Sequence, residues 1–560
     1  MGRRQLFLGT EKEKKEAREE NKKPPKKIIA LDTEDNSKGE VYLINFYDGE
    51  SHYTFRNRLD AWNYLREQGN AIVWACNMEY DLINLFGEWV DKFLTLTFNE
   101  SAFIKAQWGG ENILFRDTLR HWLMGVKKMG DFIGLPKLEV DGKFNDVEYC
   151  RRDTEIVWKF VKEMTARYSD IGADVKNTLP SSAFNLFKKE FCKIDIKRPS
   201  DEICEMLMKA AYGGRVEIFK TGMLDGPIDC YDINSLYPFV MASKTYPLPA
   251  TGEFTEEMDT DREFIANIRI SMPRVYIPAL PVRWNGKLIF PVGEFEGTWT
   301  APEIRQALED GAEIKKVNWC YQYSPVTCRP FTEWVNYIYG LRKNTSDPFM
   351  SYTLKIFLNS VFGKFTEAGE LTIFKNGEVS KLANRPDHSN VVLGAYTTAY
   401  GRLTLLQYLR KYQKSLCYCD TDSIFIQDSL KIITGKELGE WKHEGRFSSA
   451  HFVLPKTYLN VWDKEFVKNK IQNSVGTEKL KWEDILKVGV SRKAKGIPSK
   501  AMAQFFETLS AQYESPIRFR ESRRRQITPN VWMKKIRTLK AKYEKREVLK
   551  NGETLPLSLG

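Results

Sequence analysis

The segment LCYCDTDSIFI places two aspartates inside an apolar run that otherwise has the composition of β-strands. The pattern is typical of two strands joined by a tight acidic turn. Asp420 and Asp422 alternate along the chain, so their side chains leave the same face of the strand or turn. Carboxylates this close repel each other unless a cation neutralises them, and their oxygens suit a hard divalent metal. An exposed turn is the plainer interpretation of this segment alone, but CYDINSLYPF also places an acid, Asp232, beside an apolar strand.

Composition limits the class of protein. A chain of 560 residues is too long for one compact core, so several domains are expected. The hydrophobic share of 42% and the aromatic share of 13% favour a folded chain over a disordered one. The formal net charge of +11 suits binding to phosphate backbones, although charge alone is weak evidence. The nine cysteines lack CxxC spacing, which argues against a zinc site and favours a reducing compartment.

The N-terminal segment and the distribution of apolar residues predict where the protein is located in the cell. MGRRQLFLGT has no apolar stretch long enough for a signal peptide, and nothing downstream approaches a membrane span. We therefore expect no membrane association and a cytoplasmic location, in a host cell if a virus or mobile element carries the chain. Residues 1–27 form a charged extension, whose simplest form is a solvated helix that stops at the prolines.

A second group of acidic residues lies near the N-terminus. Asp32 and Glu34 in ALDTED alternate on a predicted strand, and Asp81 lies in NMEYDL. Tyr149 and Asp153 are four residues apart on a predicted helix, so they share one face. Each has a simple alternative interpretation, as a charged strand end, a turn or a helix surface pair.

Taken together and in order, these segments resemble the motifs of the family B DNA polymerases. YDINSLYP resembles motif A, LKIFLNSVFGKF motif B, YCDTDS motif C and LPKTYLN the KxY motif. DTE, NMEYD and YCRRD resemble the three exonuclease motifs of the same family. The resemblance runs from about residue 28 to about residue 500. The compact length and LGEWKHEG are similar to the protein-primed branch found in phages and mobile elements.

The resemblance implies an α/β and α+β multidomain fold. A ribonuclease-H-like 3′–5′ exonuclease domain would occupy residues 28–179, followed by a right-hand polymerase domain at 180–560. Within the polymerase domain we expect a palm with motifs A and C, and four further parts: an insertion at about 250–335, fingers at about 336–366, a second small insertion at about 367–394, and a thumb with a basic tail at about 456–560.

By the same resemblance, Asp232 and Asp422 would bind two magnesium or manganese ions in the palm, with Asp420 adjacent. Phe362 stands where the family usually has tyrosine, which removes a hydroxyl and keeps a ring. The implied nucleotide-binding residues are Tyr237, Lys343, Lys355, Asn359 and Phe362. The implied DNA-binding residues of this half are Tyr212, Gly213, Gly214 and Arg215 of YGGR, with Lys456 and Tyr458 at the primer terminus.

For the exonuclease, the resemblance assigns two more metal ions and an attacking water that Tyr149 would orient. The metal ligands would be Asp32, Glu34, Asp81 and Asp153. The primer end would be guided by Asn77, Tyr80 and Thr118. Lys137 or Lys143 would supply a positive charge, and Asp35 adds a negative charge where some relatives carry a neutral residue that contacts DNA.

The predicted function is therefore DNA-directed DNA synthesis with 3′–5′ editing. The partners would be a DNA primer-template and deoxynucleoside triphosphates. The branch implies a terminal protein as primer and a monomeric enzyme. One alternative is a polymerase of the same family that uses a nucleic-acid primer or none. Another is a nucleic-acid-binding scaffold that has lost catalysis, and a standalone nuclease would leave most of the chain unexplained.

Overall fold

The computed structural model describes residues 26–560 except 37, 101, 140–144, 197, 384–385, 387–388, 428–431, 463–464, 470–509, 528 and 539–542. The chain divides into two compact units. The first unit comprises the chain up to Ala166 together with Thr372–Lys381 and Arg518–Val531. The second comprises Arg167–Leu371, Leu382–Ile517 and Trp532–Gly560. The predicted charged extension, Lys143 and much of the predicted thumb lie outside the described residues.

Among the described residues, most strands follow one another in consecutive runs, and helices separate these runs. In chain order the strands are β1 (Lys27–Asp35), β2 (Val41–Tyr47), β3 (His52–Phe55), β4 (Ala71–Ala75), β5 (Leu94–Asn99), β6 (Ala102–Trp108), β7 (Ile113–Asp117), β8 (Val216–Ile218), β9 (Gly222–Ile233), β10 (Tyr246–Pro247), β11 (Glu253–Thr255), β12 (Phe264–Met272), β13 (Val282–Trp284), β14 (Lys287–Ile289), β15 (Val292–Thr300), β16 (Glu313–Gln322), β17 (Thr327–Cys328), β18 (Glu370–Lys375), β19 (Glu378–Ala383), β20 (Leu416–Asp420), β21 (Ser423–Gln427), β22 (Trp441–Leu454), β23 (Thr457–Trp462), β24 (Glu465–Asn469), β25 (Ser510–Pro516), β26 (Trp532–Thr538), β27 (Arg546–Val548), β28 (Thr554–Pro556) and β29 (Ser558–Leu559).

The α-helices are α1 (Arg58–Gln68), α2 (Met78–Phe86), α3 (Val90–Phe93), α4 (Val126–Ile133), α5 (Asp146–Asp170), α6 (Leu179–Leu186), α7 (Asp201–Met208), α8 (Leu236–Ser243), α9 (Ala301–Glu309), α10 (Thr332–Asn344), α11 (Pro348–Phe365), α12 (Val391–Lys411) and α13 (Phe519–Arg525). Short 3₁₀ turns lie at Gly87–Trp89, Thr118–Arg120 and Pro249–Thr251, and a π turn at Phe187–Phe191. In the described part of the chain, no helix combines the length and the apolar character needed to cross a membrane.

The first unit is built on a nine-stranded sheet with the order β19-β18-β5-β6-β7-β4-β1-β2-β3. Strand β1 runs antiparallel to β2 and parallel to β4, so it lies in the interior of the sheet. Its residues alternate between the core and the opposite face, which buries Ile29 and Leu31 and carries Asp32 and Glu34 close to the strand end.

The predicted domain boundaries differ from the two units. The first unit ends at Ala166 rather than at 179, and it takes in two later segments. The reason is aromatic packing: the Phe98 ring lies 5.7 Å from that of Phe374 and 6.3 Å from that of Phe519. All three rings are buried in the core of this unit, so two short pieces assigned by sequence to the predicted polymerase domain fold with the first unit.

The second unit contains a seven-stranded sheet with the order β24-β23-β22-β9-β21-β20-β8. A separate five-stranded sheet, β11-β16-β12-β15-β29, occupies most of the predicted first insertion and encloses Trp299. Helix α11 begins where Asp347 accepts a hydrogen bond from Phe349 N–H and Pro348 fills the first turn. Helix α12 is buried along most of its length, and its residues Leu405, Leu406 and Leu409 pack on the core of the seven-stranded sheet.

Candidate active sites

The first acidic site lies on β1 and α5 of the first unit. Ligand atoms of Asp32, Glu34 and Cys150 all lie within 4.8 Å of one another. Among the described residues this is the one group of three or more acidic, histidine or cysteine side chains that meets that distance. Cys150 Sγ also donates to the Asp32 carbonyl oxygen at 3.5 Å, so the strand and the helix are joined at this point.

Asp81 and Asp153 complete the set of four predicted ligands. Burial raises the pKa of Asp32 well above its usual value, and repulsion from Asp153, Asp81 and Glu34 raises it further. Burial raises the pKa of Glu34 to about 7, again with repulsion from Asp153. The pKa of Asp81 is also raised well above its usual value by burial, although a hydrogen bond from Thr33 opposes the shift. The structure therefore brings the four carboxylates within electrostatic reach of one another.

The oxygens of this site match what a divalent cation requires. Asp32 Oδ2 and Asp153 Oδ1 are buried without a hydrogen-bond partner among the described residues. A buried carboxylate oxygen without a partner is costly, and carboxylate oxygens are the ligands that magnesium and manganese prefer. The donor set therefore fits one or more divalent ions.

One of the two candidate lysines is placed at this site. Lys137 Nζ donates to Asp153 Oδ2 and lies 4.5 Å from the centre of the Tyr149 ring. Burial alone would lower the pKa of Lys137, but the charge of Asp153 and its hydrogen bond raise it, so the ammonium stays charged. Lys143 lies outside the described residues.

The predicted primer-guiding residues differ in accessibility. Asn77 is exposed, has a left-handed backbone with φ 72°, and precedes α2. Tyr80 is half-buried, and its hydroxyl donates to Asp35 Oδ1 at 2.6 Å. Thr118 is fully buried and donates to the Ala75 carbonyl oxygen at 3.3 Å, so its hydroxyl serves the strand end rather than a DNA contact, contrary to the sequence interpretation.

The second acidic site lies on three strands of the second unit. Asp232 on β9 is opposite Ser423 of β21 and Lys442 of β22. Thr421 has a left-handed backbone with φ 63° and forms, with Asp422, the two-residue turn between β20 and β21. Motifs A and C are thus adjacent, and Asp422 lies in the turn, one residue from the partner of Asp232.

Lysines accompany the carboxylates of this second site. Lys456 Nζ lies 2.6 Å from Asp420 Oδ1. Burial raises the pKa of Asp422 to about 6, repulsion from Asp420 adds to the shift, and the charges of Lys456 and Lys355 reduce it. Lys355 lies on helix α11, and its charge acts on the Asp422 carboxyl across the site. Asn359, one turn further along that helix, donates to the Lys355 carbonyl oxygen at 2.7 Å.

Two aromatic rings pack beside this site. The Tyr237 and Phe362 ring centres are 4.6 Å apart. Burial raises the pKa of Tyr237 to about 12, so its hydroxyl stays protonated at neutral pH. A Cβ atom at Gly401 would lie 2.9 Å from the Tyr237 ring, so the glycine makes room for it. The ring that Phe362 retains therefore has a packing partner, and the missing hydroxyl leaves that contact in place.

Lys343 is paired with a carboxylate in this structure. It is exposed on α10, and its ammonium lies 2.6 Å from Glu437 Oε1. Any triphosphate that Lys343 contacts must therefore compete with this carboxylate.

The YGGR segment packs against the acidic turn, and only part of it is exposed to solvent. Thr421 N–H donates to the Arg215 carbonyl oxygen at 2.8 Å. A Cβ atom at Gly214 would lie 2.7 Å from Thr421 Cγ2, so only glycine fits there. Gly213 is exposed, whereas Tyr212 is buried with Arg283 stacked 4.4 Å over its ring.

Arg215 and Tyr458 differ from their predicted DNA-binding roles. The Arg215 guanidinium is 1% exposed and pairs with Glu217 at 2.5 Å, because a charge inside the fold must be neutralised. It is therefore not presented to a phosphate. Tyr458 is 4% exposed, and its ring lies 5.3 Å from that of Tyr418 in the core beneath the sheet. Lys456 is the exposed member of the KxY motif.

Two buried ion pairs near this site were missed by sequence interpretation. Arg546 lies 3.5 Å from Glu217, and Arg402 lies 2.7 Å from Glu303, with each pair almost fully buried. Arg402 also donates to the carbonyl oxygens of Tyr212 and Gly213, which anchors the YGGR segment. Glu217 gave a usable signal because it is an acid inside the apolar run VEIF. Arg402 gave a similar signal, because it lies in the mostly apolar segment VVLGAYTTAYGRLTLLQYL, whereas Arg546 lies among charged residues in KYEKREVLK and gave none.

Comparisons with known proteins identify the family of the chain and its fold. The family model described as DNA polymerase type B, organellar and viral, matches residues 141–426, which is just over half of the chain. A probable DNA polymerase of Neurospora intermedia is 25% identical over 56% of this chain and 37% of its own length. One from Ascobolus immersus is 28% identical over 58% of this chain and 30% of its own length, so the chain spans about a third of these fungal relatives.

A phage relative matches over most of both chains. The DNA polymerase of Bacillus phage phi29 is 23% identical over 85% of this chain and 96% of its own length. A solved structure of that polymerase, complexed with primer-template DNA and incoming nucleotide substrates, superposes with a TM-score of 0.70 and 18% identity. The superposition covers 92% of this chain and all of the phage chain, so the two share a fold.

Proposed function

The chain belongs to the type B DNA polymerases of organelles and viruses, and we propose that it is a DNA-directed DNA polymerase with a 3′–5′ proofreading exonuclease. The observation that carries the proposal is that one fold contains two separate carboxylate sites. One is formed by Asp232, Asp420 and Asp422 on adjacent strands. The other is the partly buried group around Asp32 and Glu34.

Polymerisation is assigned to the second unit. Magnesium or manganese held by Asp232 and Asp422 would activate the primer 3′-hydroxyl and neutralise the triphosphate. Lys355, whose charge reaches Asp422, would bind the triphosphate. Tyr237 would present its ring to the sugar of the incoming nucleotide, supported from behind by Phe362. Asn359, which lies on the Lys355 helix, would contact the same nucleotide, with Lys343 available once it leaves Glu437.

DNA contacts are assigned to residues that the structure leaves accessible. Gly213, which is exposed, and Gly214 would allow the template backbone to approach closely, because neither carries a side chain. Lys456 would meet the primer terminus next to Asp420. Tyr212, Arg215 and Tyr458 would act from the interior by holding these groups in place.

Proofreading is assigned to the first unit. Asp32, Glu34, Asp81 and Asp153 would hold the divalent ions that activate water against the terminal phosphodiester. Lys137 fixes one oxygen of Asp153 and would offset charge on the scissile phosphate. Tyr149, which lies under Lys137, would orient the water. The exposed Asn77 and the partly exposed Tyr80 would guide the single-stranded end.

Initiation from a terminal protein is the more specific part of the proposal. It is supported by the near full-length match with the phi29 polymerase and by the separate sheet at 253–322 in the first predicted insertion. Initiation on a nucleic-acid primer is the alternative. The two are separated by supplying a neighbouring gene product and testing whether a nucleotide becomes attached to its hydroxyl.

The first test is extension and degradation of a 5′-labelled primed template with magnesium. Wild type is expected to do both, Asp422→Ala only to degrade, and Asp32→Ala only to extend. An Asp32→Ala protein that still degrades would remove the nuclease assignment. A wild type that neither extends nor degrades with either metal would leave a nucleic-acid-binding scaffold as the function.

A further inference from the structure

A late segment of the chain packs on the helix that carries a nuclease carboxylate. Residues 518–531 belong to the first unit, where they contact helix α2. Glu79 Oε1 accepts a hydrogen bond from the N–H of Phe519, the first residue of α13, at 3.0 Å. Asn530 Nδ2 donates to the Tyr80 carbonyl oxygen at 3.1 Å. The segment is therefore attached to α2 at both of its ends.

From Asn530, a chain of side-chain hydrogen bonds reaches Asp81. Asn530 Nδ2 donates to Asn84 Oδ1 at 2.9 Å, and Asn84 Nδ2 donates to Thr33 Oγ1 at 3.0 Å. Thr33 Oγ1 in turn donates to Asp81 Oδ1 at 2.8 Å. None of the four residues is more than 5% exposed, so water does not compete for these groups.

The direction of each bond depends on the one before it. A threonine hydroxyl has a single hydrogen, and Thr33 directs it at Asp81 because its oxygen already accepts from Asn84. The Asn84 amide would present its oxygen to Thr33 if it turned over, but Asn530 donates to that oxygen and holds it in place. Asn530 therefore sets the orientation of a hydroxyl that it does not touch.

We propose that Asn530 is a positioning residue of the nuclease site, acting through Asn84 and Thr33 to hold the Asp81 carboxylate for metal binding. The inference rests on the proposed exonuclease function. Outer hydrogen-bond partners of metal ligands fix the ligand geometry, and their loss commonly weakens metal binding. The nuclease site is then completed by a segment that lies more than 400 positions later in the chain, since Asn530 and Asn84 are 446 residues apart.

The chain offers substitutions that interrupt the relay with little change of shape. Thr33→Val keeps the volume and removes the donor, whereas Thr33→Ser keeps the hydroxyl. Asn530 has a left-handed backbone with φ 63°, so Asn530→Gly removes the side chain without backbone strain. Asn376 is an exposed residue of the same unit with φ 55°, so Asn376→Gly makes the same chemical change away from the relay.

The decisive measurement is Mn²⁺ binding to the DNA-free, full-length protein by calorimetry. Asp232→Asn and Asp422→Asn are included in every variant to remove the second acidic site. We expect the dissociation constant to rise about tenfold in Thr33→Val and about threefold in Asn530→Gly, which acts at one more remove. Thr33→Ser is expected to restore binding to within about twofold of the parent, and Asn376→Gly to match the parent.

A second measurement uses chains with the polymerase carboxylates intact. The Mn²⁺ concentration for half-maximal degradation of single-stranded DNA should rise in the same order, while primer extension stays unchanged. If wild type degrades no DNA, the nuclease assignment fails, yet the binding series still tests the relay. Unchanged Mn²⁺ binding in both Thr33→Val and Asn530→Gly, or an equal loss in Asn376→Gly, would overturn the proposal.

Discussion

The two acidic sites use the same kind of ligand in opposite electrostatic surroundings. Around Asp32 and Glu34, carboxylates lie together at partly or fully buried positions, and among the described residues Lys137 is the lysine that pairs with one of them, Asp153. Around Asp422, two lysines reduce a smaller pKa shift. The first site stores repulsion that a divalent ion relieves, whereas the second is partly neutralised before any ion binds. A metal ion should therefore matter more for the integrity of the nuclease site than for that of the polymerase site.

The largest expected effect tests whether the turn at Asp422 depends on its neighbouring loop. Gly214→Ala would place a methyl group 2.7 Å from Thr421, the residue between the two palm aspartates. Relief of this clash must shift the turn that carries Asp422. A shift of about 1 Å at a reacting group can lower the rate by about 100-fold, so we expect about that loss in single-turnover primer extension. Degradation of single-stranded DNA should be unchanged.

The matched control for this prediction is Gly213→Ala. A Cβ atom at Gly213 meets nothing within 4 Å in the described structure, so Gly213→Ala leaves Thr421 in place, changes only the proposed DNA contact of the loop, and should lose less extension activity than Gly214→Ala. Equal losses in the two variants would mean that the loop acts through DNA contact rather than through Thr421.

The pH dependence of the two activities should separate the sites next. The pKa of Glu34 is raised to about 7 and that of Asp422 to about 6. Protons compete with the metal for these carboxylates, so both rates should fall as the pH is lowered. The nuclease rate should begin to fall at a higher pH than the polymerase rate. At pH 6 and subsaturating Mn²⁺, about a tenth of the nuclease and about half of the polymerase activity should remain. Coincident acid limbs would remove the contrast between the sites.

Stability of the metal-free protein provides a third comparison. Because the pKa of Glu34 is raised on folding, its contribution to the free energy of unfolding is greatest below about pH 4.5 and is lost as the pH rises through about 7. Glu34→Gln stays neutral, so it should raise the free energy of unfolding at pH 8 by on the order of 1 kcal/mol, which is measured as a higher thermal midpoint.

Two further thermal-unfolding measurements, at lower pH and with Mn²⁺, complete that test. The advantage of Glu34→Gln should disappear near pH 4.5, where the wild-type carboxyl is also neutral. Saturating Mn²⁺ should reverse the order at pH 8, because wild type gains more from the ion. A Glu34→Gln protein that is less stable than wild type at pH 8 without metal would show that the site holds no stored repulsion.

Sequence interpretation succeeded where the pattern is local. The family assignment is confirmed, and the predicted acidic hairpin and the long helix through Asp153 are present. Alternation along β1 correctly placed Asp32 and Glu34 together, because side chains two apart on a strand share a face. These features depend only on neighbours in the chain.

Sequence interpretation failed where a side chain forms a hydrogen bond with a residue that is distant in the chain. Arg215 resembles a phosphate ligand in YGGR, yet its buried guanidinium donates to the carbonyl oxygen of Pro278, 63 residues away. Thr118 donates to a strand end in the core. Asn530 lies in a basic stretch that favours a surface tail, but it packs against Asn84 on the nuclease helix. Spacing shows which face a residue occupies, and it carries no information about which remote segment covers that face.

The smallest expected effect concerns Lys343, the one predicted triphosphate ligand that another side chain holds. Its partner Glu437 is exposed, as is Lys343 itself, so the ion pair is weak and screened by salt. Glu437→Gln should release the lysine and lower the KM for nucleotide about twofold at low salt, with no change at high salt or in the nuclease rate. Glu333→Gln, which removes the partner of Lys193 at another exposed pair, is the control. A higher KM in Glu437→Gln would instead mean that the carboxylate positions Lys343 for the nucleotide.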